Sequence, residues 1–276
     1  LPNSELTFVH LSDTHIVAKD STYLGYDSAR YLRDAIGAVN ALRPRPAFAL
    51  VTGDLCHTGS RAEYEHFVEL FAALDVPYYV LPGNHDRVET LRAVIPAQAW
   101  GGAERATGAF AFEVDVSGLR LIALDSTKPR VPGGWLGDDR LDWLTATLAA
   151  APATPTALAL HQPPFRTGMH YLDFLPYPGA DRLRTIVESN PQIALLLGGH
   201  IHCVRARRWK GTLALTAPST APQVVPELFE RRPFALRLEP PGFIVHRGTL
   251  GGAFEATVHR RAPASGDYVP TERALT

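Results

Sequence analysis

With 276 residues, 46% of them hydrophobic and 20% charged, and a formal net charge of -1, the chain suits one large globular domain, or one with a small appendage, able to bury a sizeable core. The balanced charge excludes the electrostatic footprint of a protein for duplex nucleic acid or an anionic membrane. No apolar run approaches the roughly 18 residues needed to span a bilayer, and Leu1 to Leu11 lacks the basic start and long apolar centre of a secretion signal, so a cytoplasmic protein is expected. Two cysteines, Cys56 and Cys203, make no disulfide framework and are expected as buried thiols.

Glu5 to Leu11 reads as a short first strand that ends in Ser12-Asp13-Thr14-His15. The polar stretch Lys19 to Asp27 is predicted as loop. Tyr31, Leu32, Ala35, Ile36, Val39 and Leu42 then recur at helical spacing until Arg43-Pro44 stops them. Ala47 to Thr52, apolar on both faces, predicts a parallel strand covered by helices, and it runs straight into Gly53-Asp54. Ser60 and Glu63 form a capping box for a helix carried on by Tyr64, Phe67, Val68, Phe71 and Leu74. A third strand, Pro77 to Leu81, meets Pro82-Gly83 and presents Asn84, His85 and Asp86 before a segment that could start a helix. Strand and helix alternating at about 30 to 40 residues per step is the βαβ rhythm of a parallel sheet.

The rhythm changes after Arg87. Phe110 to Val116 and Leu119 to Leu124 predict a hairpin turning at Ser117-Gly118. A loop rich in glycine and proline follows, then a helix over Asp138 to Ala149. Thr156 to Leu160 predicts a strand ending at His161-Gln162-Pro163-Pro164. Phe165 to Gly179 is predicted as a long loop whose aromatic residues, Phe165 and Tyr171 among them, would wall or cover a pocket. A helix over Asp181 to Glu188 leads to a strand over Ile193 to Leu197, which ends in Gly198-Gly199-His200-Ile201-His202. The remainder reads as β-rich, with strands at Val204 to Lys210, Gly211 to Thr216, Pro233 to Leu238 and Phe243 to Gly248 and an extended tail from about Ala262.

Five apolar strands thus end in Asp13 and His15, Asp54, Asn84 and His85, His161, and His200 and His202. On a shared sheet these ends would converge on one crevice, where open α/β sheets bind ligands. Singly, each has an ordinary reading: Asp13 or His15 could cap or hydrogen-bond, Gly-Asn-His-Asp could be a turn, and His161 could be structural. Together, carboxylates, an amide oxygen and several imidazoles suit Zn, Fe, Mn, Co or Ni rather than Ca or Mg. They are too many for one tetrahedral ion but can hold two if Asp54 bridges them, and paired metals clamp an in-line displacement at phosphorus. His200 and His202, if extended, would point the same way. His57 could face the substrate or lie on a surface turn. Asp86 could accept a hydrogen bond from a histidine or cap a helix, and Arg87 could reach an anionic substrate.

From Leu6 to about Thr220, the order of these five motifs resembles the calcineurin-like metallophosphoesterase superfamily. Gly53-Asp54-Leu55-Cys56-His57-Thr58-Gly59 and Leu81 to Arg87 look most like its class III cyclic nucleotide phosphodiesterase and glycerophosphodiesterase branch. They depart from the protein phosphatase patterns, and no clear tyrosine follows Gly53-Asp54 as in purple acid phosphatases. The resemblance implies an α/β fold, a four-layer α/β/β/α sandwich with a β-rich C-terminal part. Residues 1–220 would be the catalytic domain, and 221–276 an extension completing the second sheet or an oligomer interface. It implies that Asp13, His15, Asp54 and His202 hold one divalent transition-metal ion, Mn, Fe, Zn or Co, and that Asp54, Asn84, His161 and His200 hold another. A hydroxide shared by the metals would attack phosphorus, and His85 would protonate the leaving alkoxide. Asn84, His85, His57, Phe165 and Tyr171 are the expected contacts to a small phosphodiester, and a homodimer or higher homo-oligomer is expected.

Overall fold

A computed structural model describes residues 5–102, 110–128, 131–224, 236–237, 240–249 and 254–260. Strands β1 (Glu5–Leu11), β2 (Ala49–Thr52) and β3 (Tyr78–Leu81) run parallel, linked by helices α1 (Ser28–Ala41) and α2 (Arg61–Phe71). Asp27 caps α1 by accepting from the Arg30 N–H, and the Ser60–Glu63 capping box forms at the start of α2. Helix α3 (Val88–Val94) and a single 3-10 turn, Ala97–Trp100, follow β3.

Strands β4 (Ala111–Val116) and β5 (Leu119–Leu124) are an antiparallel hairpin, and α4 (Asp138–Ala150) leads to β6 (Thr156–Ala159), parallel to β5. The expected long loop contains a short helix, α5 (His170–Asp173), before α6 (Ala180–Glu188) and β7 (Ile193–Gly198). Strands β8 (Arg205–Trp209) and β9 (Thr212–Thr216) form a second hairpin. Both hairpins turn on two residues of positive φ, Ser117-Gly118 and Lys210-Gly211, the two-residue turn whose twist matches the flanking strands. The chain continues through β10 (Gln223–Val224), β11 (Leu236–Arg237), β12 (Gly242–Thr249) and β13 (Phe254–Arg260). The strand expected at Pro233 to Leu238 is thus described only at β11, and the tail from Ala262 lies outside the described residues.

The strands build two main sheets, not one. The first has order β13-β12-β1-β2-β3 and the second β4-β5-β6-β7-β9-β8. Side-chain alternation explains why both are covered on two faces. In β5, Leu119, Leu121 and Ala123 join the core shared with the first sheet, whereas Ile122 and Leu124 join the core under α4 and α6; Ala157 and Ala159 of β6 split from Leu158 and Leu160 in the same way. Helices α1 and α2 pack Leu32, Ile36, Tyr64 and Phe67 into the larger core. The result is four layers, helix, sheet, sheet, helix. The carboxyl ends of β1, β2 and β3 meet those of β6 and β7 across the gap between the sheets.

Candidate metal centre

Backbone pairing brings the first two motifs together. Beyond the last residues of β1 and β2, the Asp13 N–H donates to the Gly53 carbonyl and the His15 N–H to the Asp54 carbonyl, each at 3.0 Å. The second sheet is stitched to them by the His200 N–H, which donates to the Asp13 carboxylate at 3.1 Å. Five candidate ligands occupy the left-handed region that only glycine adopts without strain: Asp13 (φ 52), His15 (φ 43), Asp54 (φ 50), His200 (φ 70) and His202 (φ 50). Such strain persists only where surrounding structure holds it, and it collects at functional sites. It also corrects one expectation. His200 and His202 do not alternate along an extended strand; the turn sends His202 to His15 and leaves His200 beside His161, ring centroids 5.1 Å apart.

Two glycines permit the approach. A Cβ on Gly53 would lie 2.5 Å from His161 Nδ1, and one on Gly83 would collide with the Asp54 carboxylate. Behind the site, Asp86 neither caps α3 nor meets a histidine. Its carboxylate accepts from the N–H groups of Gly83 (2.8 Å), Leu55 (3.1 Å) and Cys56 (3.3 Å) and from the Tyr64 hydroxyl (2.9 Å), which ties the loop of Asp54 to the loop of Asn84. The Ser126 hydroxyl accepts from the His161 N–H at 3.1 Å, and Ser219 donates to the Asp13 carbonyl at 2.6 Å.

The side chains converge. Asp13, His15, Asp54 and His202 bring ligand atoms within 4.8 Å of one another, all four buried. Beside them, His161 Nε2 lies 3.4 Å from Asp54 Oδ2 and 3.2 Å from Asn84 Oδ1. A carbonyl can only accept, so His161 donates Nδ1–H to Thr52 O (2.7 Å) and His202 donates Nδ1–H to Pro222 O (2.7 Å). In the neutral rings this turns the Nε2 lone pairs inward, the usual outer support of a metal-binding imidazole.

The electrostatics ask for a cation. Burial lifts the Asp13 carboxyl above its ordinary value, with the Asp54 charge adding to the lift. Burial acts on Asp54 in the same direction, but His161, with His15 and His85, holds that carboxyl well below the carboxylate range. Burial pulls the His161 imidazole down, and the Asp54 and Asp13 charges more than offset it, to about 9. Burial and the neighbouring His161 push His200 down to about 3, and burial drives His15 well below its usual value. Two carboxylates 0% and 2% exposed and a crowd of inward lone pairs, with His15 and His202 Nε2 atoms 3.0 Å apart, fit divalent transition-metal ions better than they fit one another.

His85 is adjacent to this set and outside it. Its Nδ1 donates to the His57 carbonyl at 2.8 Å, its backbone N–H donates to Asp54 Oδ1 at 2.8 Å, and Nε2 is left available to a ligand. The His57 ring stacks on His85 at 5.2 Å. Tyr23, in the segment predicted as polar loop, lies flat on His15 at 4.8 Å and is 7% exposed; burial and the two carboxylates raise its phenol to about 12. No periodicity in the sequence marks Tyr23, Ser126 or Ser219, because each acts through a contact distant in the chain. Two recesses flank the cluster. A cleft of about 640 Å³ is lined by His57, Asn84, His85 and Arg87, and a chamber of about 160 Å³ by His200 and Phe165. Tyr171 lines neither and packs with Met169, Ile201 and Cys203. Cys56 and Cys203 are buried and unbridged, as expected.

Comparison with known proteins agrees with this geometry. The chain is 32% identical over 243 residues to a probable glycerophosphodiester phosphodiesterase GpdQ of Arcobacter nitrofigilis, covering 87% of this chain and 88% of that one. It is 30% identical over 260 residues to the 3',5'-cyclic adenosine monophosphate phosphodiesterase CpdA of Escherichia coli, covering 94% and 91%. Among solved structures it resembles a dimetal phosphatase from Danio rerio, with a TM-score of 0.66 at 16% identity over 93% of this chain and 99% of that one, a likeness of fold. Residues 6–204 match the calcineurin-like phosphoesterase family, and the chain belongs to it.

Proposed function

We propose that the chain hydrolyses a small phosphodiester, a cyclic nucleotide or a glycerophosphodiester, using two divalent ions. Asp13, His15, Asp54 and His202 would hold one and Asp54, Asn84, His161 and His200 the other. The observation that carries this reading is the buried convergence of Asp13, His15, Asp54 and His202, with His161 against Asp54 and the half-buried Asn84 and His200 against His161, beside a histidine, His85, that is oriented but not consumed. The names of the two relatives support the diester.

When bound, the ions would activate a water and offset charge on the phosphoryl group. The chain's own groups do the rest. Asp54 holds the two halves of the site together, and its Oδ1 fixes the backbone of His85. The Asn84 side chain, beside His161, bounds the cleft where the phosphoryl oxygens would lie. His85, held through Nδ1 by the His57 carbonyl, can donate a proton from Nε2 to the departing alkoxide. His57 and Phe165 would contact the substrate from opposite sides, and Tyr171 would support the chamber from behind. Two unbridged thiols suit a reducing, cytoplasmic setting, and a homo-oligomer is part of the same proposal.

The test is a metal-restored assay on chelator-stripped protein with bis-p-nitrophenyl phosphate, cyclic AMP, a glycerophosphodiester and a phosphomonoester. Mn, Fe, Zn or Co should restore diester turnover in preference to monoester turnover, and Asp54→Ala or Asn84→Ala should abolish it. Wild-type turnover surviving either change overturns the reading.

A further inference from the structure

We infer that the two unequal recesses beside the metal cluster sort the two alcohol arms of a linear, unsymmetrical diester, the larger arm leaving from the His85 side. The inference rests on the diesterase reading and adds the shape of the substrate and the bond that breaks. The cleft, about 640 Å³, has His85 in its wall, so an ester oxygen within reach of His85 carries its alcohol into the cleft. Its charges balance. Arg87, Lys128 and Arg140 line it with Asp86, Glu89 and Asp125; Arg140 is paired with Asp125 at 3.1 Å, and Lys128 lies 4.5 Å over the Trp135 ring. A neutral, polar alcohol of nucleoside size fits this lining better than a phosphorylated one.

The chamber on the His200 side is a quarter of that size. Phe165, Leu172, Leu175 and Tyr177 share its wall with Arg166 and Asp173, and its volume is about 160 Å³. At about 30 Å³ per molecule of liquid water, that is the space of about five waters, enough for an alcohol of a few carbons but too little for a nucleoside. Its wall is fixed. The Asp173 carboxylate accepts from the Thr167 N–H at 2.7 Å, the Thr167 hydroxyl at 2.9 Å and the Gly168 N–H at 2.9 Å. The Tyr177 hydroxyl donates to the Gln162 carbonyl at 3.2 Å, and the Leu136 N–H donates to the Pro178 carbonyl at 2.9 Å. A preformed recess of set size acts as a ruler for the arm that enters it. In a 3',5'-cyclic diester both ester oxygens belong to one sugar, so one recess stays unfilled; a linear diester fills both.

The reaction balances as a hydrolysis. Water oxygen bonds to phosphorus and the bond from phosphorus to the larger alcohol's oxygen breaks. That oxygen takes a proton from His85, and the proton lost by water restores it. The products are the larger alcohol and the phosphomonoester of the short one.

Adenosine 5'-alkyl phosphates from methyl to hexyl, given to metal-loaded protein, test this. The expected products are adenosine and alkyl phosphate, with kcat/KM dropping about 10-fold or more for each methylene beyond the chamber's length. Leu175→Trp should move that limit to shorter chains and Leu172→Ala to longer ones. Release of AMP and alkanol, or a length profile that neither variant moves, overturns the inference. If bis-p-nitrophenyl phosphate is cleaved and the adenosine diesters are not, the sorting fails while the diesterase reading stands; if no diester is cleaved, the diesterase reading fails.

Discussion

His85 concentrates the chemistry that belongs to the protein itself. Its orientation is fixed twice, by the His57 carbonyl on Nδ1 and by Asp54 on its backbone N–H, so its one uncommitted atom is Nε2. A proton donor matters most when the departing alkoxide is basic. His85→Gln should therefore lower kcat on an alkyl diester by about 100-fold to 10,000-fold, the usual span for a positioned acid, and much less on a p-nitrophenyl diester. Steady-state kinetics on the two substrates would show it, and an equal loss on both would assign His85 to binding instead. The motif residues were legible before any fold was known, because carboxylate, amide and imidazole at strand ends form a coherent donor set. Tyr23 was not, and Asp86 was expected on a histidine or at a helix cap. Their roles come from contacts to His15 and to the Leu55–Cys56 backbone, which no local pattern announces.

At the level of elements, strands were legible wherever an apolar run ended at a polar motif, and capped helices were legible at their starts. The extent of sheet pairing was not. Strand β12 pairs antiparallel with β1 along six residues, and β13 pairs with β12, so the C-terminal part extends the sheet that carries Asp13 and His15. Among the described residues nothing pairs with the outer edge of β13, where Glu255 to Val258 are exposed and Val258 is 41% exposed. An open edge is a template for another strand. The expected outcome is a dimer or higher homo-oligomer through this edge, read as mass by light scattering at micromolar concentration, and a monomer there would refute it.

For the whole molecule, buried neutral imidazoles should make part of the stability depend on pH. Burial drives His246 down to about 3, and burial with the neighbouring His246 drives His10 well below its ordinary 6.5. Below pH 6.5 the unfolded chain takes up these protons and the folded chain does not, so their contribution is present above 6.5 and is lost as pH falls toward 3. Each imidazole contributes up to about 1.4 kcal/mol of loss per pH unit in that window. Two groups act the other way: the contribution of His161, raised to about 9, is lost as pH rises from 6.5, and that of Asp86, raised by burial to about 7, is lost as pH rises from its ordinary 3.8. Denaturant melts of chelator-stripped wild type and its His246→Phe variant isolate this part: going from pH 7 to pH 5 should move the wild type further toward instability than the variant, and an equal change in both would mean that His246 reaches water.

The sequence alone determined the donor set, the strand-to-motif grammar and hence the family, because these depend on residue type and short spacing. The tertiary structure decided three things. It put the five motifs on two facing sheets rather than one, since apolar strands with two buried faces can stack as well as align. It turned His200 and His202 apart through positive φ, which sequence spacing does not encode. And it set a wide cleft against a narrow chamber, because cavity size is what remains after loops distant in sequence have packed.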